Sequence, residues 1–191
     1  GSLKNIGMSC ATREGKLAQH NEAAPISYAD RCIGCGECVT VCPSDAIYME
    51  SDKAVLNTDK CIGCASCVAA CPENALFVDF KAGDDVQRKM VDYAYAILKD
   101  KQDKSGFLNF ALKINKECDC WAFENSRIAP DVGILASSDP VAIDRASFDL
   151  VNDASGREVF REAHPDQNAL LQLEYAQQIG LGTMDYNLIR V

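Results

Sequence analysis

The chain has 191 residues, enough for one ordinary domain or for two small domains. Apolar residues make up 48% of it and charged residues 25%, a balance that indicates a folded globular protein and excludes a disordered or fibrous one. The formal charge of -9 excludes a nucleic-acid surface, because 28 acidic against 19 basic residues would repel phosphate.

The amino-terminal segment carries two residues that can bind metals, Cys10 and His20. It lacks the basic region and apolar core of an export signal, and no apolar run in the chain is long enough to cross a membrane. Gly1-Ser2 looks like a cloning remnant, and "LKNIGMSC" begins abruptly without a start methionine. We therefore expect a piece of a longer protein and no membrane insertion.

Eleven cysteines are the most informative feature of the composition. A disulfide scaffold is one interpretation, but it suits small secreted chains. Eight of the cysteines lie in tight C-x-x-C arrays, which bind metal more readily than they pair with one another. We therefore expect a reducing compartment, the cytoplasm.

Two segments repeat without a gap, "ADRCIGCGECVTVCPSDAIYME" and "TDKCIGCASCVAACPENALFVD", offset by 29 residues. Each reads C-x2-C-x2-C-x3-C-P, the run of bacterial ferredoxins that bind 4Fe-4S clusters. Paired C-x-x-C motifs also form zinc ribbons, but zinc sites usually take two cysteines from a loop, whereas each run supplies three and a fourth before proline. The spacing therefore predicts two 4Fe-4S clusters.

Each cluster needs four thiolates, and in two-cluster ferredoxins the fourth comes from the other repeat. The predicted ligands of the first cluster are Cys32, Cys35, Cys38 and Cys71. The predicted ligands of the second are Cys61, Cys64, Cys67 and Cys42. An apolar shell that keeps water off the clusters is expected from Ile33, Ile62, Val39, Val68, Ile47 and Leu76.

Periodicity predicts the remaining elements. "AIYMESDKAVLN" alternates around the polar turn 51–53 and predicts a β-hairpin. The pattern further predicts a helix over 84–101 and strands over 106–114 and 132–136. Asp139 and Pro140 are the expected N-cap and first residue of the next helix, and a final helix ends near Gly180.

The predicted fold is α+β, with a two-cluster ferredoxin module inserted in or packed on a small α/β domain. We expect residues 1–24 to pack on the C-terminal part, residues 25–80 to form the ferredoxin module, and residues 81–191 to form the α/β part.

Four stretches in this order, "GMSCATREGKLAQH", the paired cysteine runs, "ECDC" and "PDVGILASSDPVAIDRAS", resemble the C-terminal half of the family called domain of unknown function 362, often described as iron-sulfur centre proteins. The similarity spans Ile6 to Gly182. It implies a ferredoxin insertion within an α/β domain, a further N-terminal region and an unassigned activity.

Three cysteines, Cys10, Cys118 and Cys120, lie outside the repeats. With His20 they form the set that a tetrahedral zinc site uses, and on the end of a strand the i, i+2 pair would face one side. The alternatives are inert buried thiols, or redox-active or substrate-binding thiols. One additional zinc ion is therefore a prediction, not a necessity of the spacing.

Three aspartates recur in the last family-like motif, Asp131, Asp139 and Asp144. A ligand or catalytic role for Asp131 or Asp144 is one interpretation, since ligand sites of α/β folds lie at strand ends. The other interpretation is structural, with Asp139 as a helix cap and Asp144 beside Arg145 as charge on a helix surface.

Two functions follow from these features. The first is electron transfer, in which two clusters pass single electrons as a module of a larger redox protein. The partner in this exchange is an electron donor or acceptor protein, or a missing N-terminal domain. The alternative is an oxidoreductase whose active site in the α/β part uses Cys10, Cys118, Cys120, Asp131 and Asp144 and is fed by the clusters. Whether the chain is itself an enzyme is left open by its sequence.

Overall fold

A computed structural model describes residues 1–21, 24–78, 83–118 and 125–191. The chain forms two compact units, one of Gly1–Gly7 with Met90–Val191 and one of Met8–Lys89. The second unit is therefore an insertion in the sequence of the first. Both contain helices and small sheets, which confirms the mixed α+β class.

The helices, in chain order, are α1 (Ser2–Lys4), α2 (Arg13–His20), α3 (Glu37–Thr40), α4 (Ser66–Ala70), α5 (Asp84–Leu98), α6 (Pro140–Ser155), α7 (Val159–Ala163) and α8 (Leu171–Gln178). A π-helical turn spans Asn5–Ser9, and 3-10 turns span Ala29–Arg31 and Gln102–Lys104. The strands are β1 (Ile26–Ser27), β2 (Ile47–Glu50), β3 (Lys53–Leu56), β4 (Leu76–Phe77), β5 (Phe107–Ala111) and β6 (Gly133–Ser137).

In the Met8–Lys89 unit, the predicted hairpin is formed by β2 and β3. Glu50 pairs with Lys53, so the turn consists of Ser51 and Asp52 alone and is one residue shorter than predicted. Both turn residues have positive φ, 47° and 59°. This conformation matches the right-handed twist of the flanking strands.

The core of this unit lies between the hairpin and the two short helices α3 and α4. Ile47, Val68 and Leu76 are buried in it, as predicted, and Leu17 of α2 packs against the same cluster. The segment before the repeats therefore contributes to this core. The division of the chain into domains at residues 24 and 80 stays a prediction.

In the other unit, β5 and β6 pair in an antiparallel sheet with Phe107 opposite Ser137 and Ala111 opposite Gly133. α6 packs on this sheet. Asp139 caps α6, as predicted: its carboxylate accepts hydrogen bonds from the N–H groups of Val141 (2.8 Å) and Ala142 (2.9 Å). These N–H groups have no partner inside the helix, so the cap fixes where α6 begins.

Helix ends differ modestly from the sequence prediction. α5 ends at Leu98 and not at residue 101, and α8 is followed by Gly180 with a φ of 78°. The short helices α2 and α7 were not predicted, because their apolar residues are too few to give a helical period. Among the described residues, no helix has the length and apolar character needed to span a membrane.

Candidate metal centre

The two cysteine runs adopt matching local structures. α3 begins after Gly36 and α4 begins after Ala65, and both of these preceding residues are left-handed, with φ of 77° and 58°. The third cysteine of each run, Cys38 or Cys67, lies on the first turn of its helix and is only 7% exposed. The left-handed residue turns the chain so that this thiol faces the interior, whereas the cysteines before it stay in the loop.

Eight cysteines are brought together in two groups of four. One pocket is lined by Cys32, Cys35, Cys38 and Cys71. A second pocket is lined by Cys42, Cys61, Cys64 and Cys67. Each group combines three cysteines of one repeat with the fourth cysteine of the other. This grouping is expected for crossed ligation, in which each cluster takes its fourth thiolate from the other repeat.

Backbone N–H groups are directed at three of these sulfurs. The N–H of Ala46 donates to Cys42 Sγ and the N–H of Ala75 donates to Cys71 Sγ, each with an N···S distance of 3.2 Å. Ala54 on β3 donates to Cys32 Sγ at 3.4 Å. Such bonds stabilise negative charge on sulfur and are one of the means by which a protein sets a cluster's potential.

The donor set fits a 4Fe-4S cluster at each pocket. Four cysteines are the complete ligand set of such a cluster, and the remaining lining is mostly small or apolar, including Ala54 and Leu76 in one pocket and Ile47 and Leu56 in the other. An apolar lining excludes water, as a low-dielectric cluster site requires.

Thiol acidity differs between the cysteines because their surroundings differ. Burial raises the pKa of Cys67 to about 12, and the neighbouring Cys64 adds to this shift. Burial also raises the pKa of Cys38. At Cys32 the N–H groups of Ala54 and Gly34 lower the pKa.

Cys42 combines both influences. Burial raises its pKa, but hydrogen bonds from Ser44 and from the N–H of Ala46 outweigh burial and lower it overall. Thiols must lose their protons to bind metal, so cluster binding releases protons most of all from the buried cysteines.

The hairpin turn lies against the first cysteine loop, a contact that sequence reasoning missed. A Cβ on Gly34, which has a φ of 75°, would lie 2.7 Å from the carbonyl oxygen of Asp52. The Lys53 ammonium donates to the carbonyl of Cys32 at 2.6 Å. The glycine is therefore required both by its φ and by the close approach.

Members of the predicted apolar shell differ in exposure. Val68, Ile47 and Leu76 are buried, whereas Ile33 and Ile62 line the two cysteine pockets but are 65% and 66% exposed. Alternation alone could not reveal this difference, because the cysteine loops are not periodic. That these residues keep water off the clusters stays a prediction.

The predicted zinc ligands are distributed along the chain. Cys10 is exposed and belongs with His20 to the Met8–Lys89 unit, whereas Cys118 belongs to the other unit and Cys120 lies outside the described residues. Within the described ranges, no three His, Cys, Asp or Glu side chains form a group that could hold a single metal ion. The four-residue zinc site stays a prediction.

Cys118 follows a short segment, 115–117, that pairs antiparallel with residues 125–127. The N–H of Lys116 donates to the carbonyl of Ser126 (2.9 Å), and the N–H of Glu117 donates to Asn125 Oδ1 (2.9 Å). The strand predicted over 106–114 is therefore shorter, Phe107–Ala111, and beyond it an isolated antiparallel bridge pairs Asn115 with Arg127.

Asp144 is buried, so its interpretation as charge on the helix surface is wrong. Its carboxylate accepts hydrogen bonds from the N–H groups of Ser2 (2.5 Å) and Leu3 (2.9 Å) and from Asn109 Nδ2 (2.8 Å). A buried carboxylate must be paired in this way, and here it caps α1 from a distant part of the chain. The contact joins segments 142 residues apart and has no local signal in the sequence.

Asp131 is exposed and forms an ion pair with Arg127. The N–H of Lys113, which donates to Asp131 Oδ1 at 2.6 Å, and then Arg127 hold the pKa of this carboxyl below its usual range. Both aspartates thus have structural partners.

Comparison with known proteins supports the iron-sulfur assignment. Residues 24–91 match the family model of the 4Fe-4S dicluster domain. A stretch of 27 residues is 56% identical to Ferredoxin-2 of Desulfomicrobium norvegicum and covers 14% of this chain and 46% of that ferredoxin. The match spans less than half the length of that relative. The prediction of a ferredoxin module that binds 4Fe-4S clusters is confirmed by these similarities.

Proposed function

We propose that the chain transfers single electrons through two 4Fe-4S clusters, and that it does so as a module of a larger redox protein. The observation that carries the proposal is the pair of pockets, each lined by four cysteines drawn from both repeats. Because four thiolates occupy the four corners of a cluster, no iron is left open to a substrate. Residues 25–80 form the redox module of the proposal.

A bound 4Fe-4S cluster supplies one reversible electron at each pocket. The residues of this chain prepare the sites for that chemistry. The N–H groups of Ala46, Ala54 and Ala75 stabilise negative charge on the ligand sulfurs. The buried side chains of Ile47 and Val68 limit the access of water. Crossed ligation fastens the two repeats to each other, so the clusters also hold a module too small for a large apolar core.

In this proposal, the electron donor and acceptor are other proteins or a further domain of the same protein. The cytoplasmic location, the resemblance to the family of unknown function and the zinc site of Cys10, His20, Cys118 and Cys120 likewise stay predictions. So does the alternative of an oxidoreductase active site outside the cysteine pockets.

Metal analysis and electron paramagnetic resonance test the proposal. We expect anaerobically purified protein to contain about eight irons per chain and to give a 4Fe-4S signal after reduction with dithionite. A redox titration should reverse fully when the protein is reoxidised. Protein that holds iron but gives no signal on reduction contradicts an electron-transfer role. The same metal analysis tests the zinc prediction, which requires about one zinc in addition to iron.

A further inference from the structure

We infer that the pocket of Cys32, Cys35, Cys38 and Cys71, termed the first pocket, is the docking face for a basic redox protein. The partner's contact surface is apolar at its centre and carries lysine or arginine at its rim. The inference rests on the proposed electron-transfer function and adds the partner's chemistry to it. The pocket of Cys42, Cys61, Cys64 and Cys67 is termed the second pocket.

The first pocket reaches the surface through two of its own lining residues. Ile33 is 65% exposed, and Cys35 is exposed as well. The two pockets differ at the cysteine and not at the isoleucine. Cys64, equivalent to Cys35, is only partly exposed, whereas Ile62, equivalent to Ile33, lines the second pocket and is 66% exposed. A ligand thiol at the surface shortens the path of an electron to a docked protein, and an exposed isoleucine beside it can exclude water from the contact.

The charges around the two pockets differ although their cysteines match. Glu37 lies in sequence between Gly36 and Cys38, which line the first pocket, and it corresponds at the repeat offset to Ser66. Glu73, which lines the first pocket directly, corresponds to Ser44 in the second. Both glutamates are exposed. At these two positions the repeats keep the same ligands but differ in charge, with glutamates beside the first pocket and serines beside the second.

A further carboxylate and one cation complete the first rim. Asp52 is exposed, and its backbone approaches Gly34 in the same cysteine loop. Lys53 also lies there, with its ammonium donating to the carbonyl of Cys32. The rim formed by Glu37, Asp52, Glu73 and Lys53 therefore has an acidic surplus. Glu73 is the charged residue in the described lining of the first pocket, and the described lining of the second pocket contains none, although exposed Asp45 follows its lining residue Ser44.

An acidic rim around an apolar centre attracts a basic partner and sets its orientation. Charge complementarity mainly raises the association rate, and this effect weakens as salt screens the charges. Contacts of electron-transfer partners are typically small and transient. In the reaction, one electron leaves the reduced protein and reduces the partner's redox centre, and no bond forms or breaks.

The test uses cytochrome c, a basic haem protein, as the probe. Dithionite-reduced protein is mixed with it in a stopped-flow instrument, and the second-order rate constant is measured against ionic strength. We compare Glu37→Gln/Glu73→Gln with a matched control, Asp45→Asn/Asp59→Asn. The control removes two exposed carboxylates that follow or precede cysteines of the second pocket.

We expect the glutamate double variant to lower the rate about tenfold at low ionic strength and to flatten its salt dependence, whereas the control changes it less than about threefold. Ile33→Ser should lower the rate at every ionic strength, and Ile33→Leu should restore it. Unchanged iron content and resonance spectra establish that the variants keep their clusters.

Equal rate losses in the two double variants, or no loss in either, overturn the docking inference while leaving electron transfer intact. Wild-type protein that dithionite cannot reduce overturns both the docking inference and the proposed function. The two failures are therefore distinguishable.

Discussion

Pairs of cysteine substitutions should reveal which cysteines share a cluster. Cys32, Cys42 and Cys71 are the suitable positions, because they are only partly buried, whereas Cys38 and Cys67 belong to the packed core. If ligation is crossed, Cys32→Ala/Cys71→Ala damages a single cluster twice. Cys32→Ala/Cys42→Ala damages both clusters.

The expected magnitudes follow from the grouping of the two pockets. Protein with both clusters holds about eight irons per chain. Cys32→Ala/Cys71→Ala removes two thiols from one pocket, so about four irons remain in the other. Cys32→Ala/Cys42→Ala takes one thiol from each pocket and leaves few irons or none.

Iron and sulfide are counted after anaerobic reconstitution, and far-ultraviolet circular dichroism reports whether the helices persist. The single variants Cys42→Ala and Cys71→Ala serve as controls, since each should lose a different cluster and they should retain similar amounts of iron. If Cys32→Ala/Cys42→Ala keeps about four irons and Cys32→Ala/Cys71→Ala loses nearly all, each repeat ligates its own cluster and the crossed assignment is refuted.

Two stability predictions test tertiary contacts. Gly34→Ala and Gly36→Ala each place a side chain at positive φ, but only at Gly34 does the new Cβ meet the backbone of Asp52. We therefore expect the clusters of the Gly34→Ala variant to bleach faster in air than those of the Gly36→Ala variant. The free energy of unfolding of Gly34→Ala should be about 1–3 kcal/mol lower than that of Gly36→Ala. Similar behaviour of the two variants would contradict this contact. Asp144→Ala leaves buried donors without an acceptor and should lower the free energy of unfolding in urea by about 3 kcal/mol, against about 0.5 kcal/mol or less for exposed Glu162→Ala. A loss at Asp144 no larger than at Glu162 would show that the buried bonds contribute little.

Local chemistry determined much of this protein before any contact was known. The cysteine spacing indicates iron-sulfur clusters because four thiolates at these intervals fit a cubane, and the comparisons confirm the module. Asp139 and Pro140 located the start of α6 because capping depends on residues adjacent in sequence. The alternating run around Ser51 and Asp52 likewise located the hairpin.

Only the tertiary structure decided which side chains are covered. Ile33 has an apolar side chain of the kind found in protein cores, yet it is exposed. Asp144 has a charged side chain of the kind found on surfaces, yet it is buried. The approach of Asp52 to Gly34 and the bond from Ala54 to Cys32 also join segments far apart in sequence. Burial is a property of the whole packed chain, because it depends on which distant segment covers a residue, and no periodicity or spacing of neighbours encodes that choice.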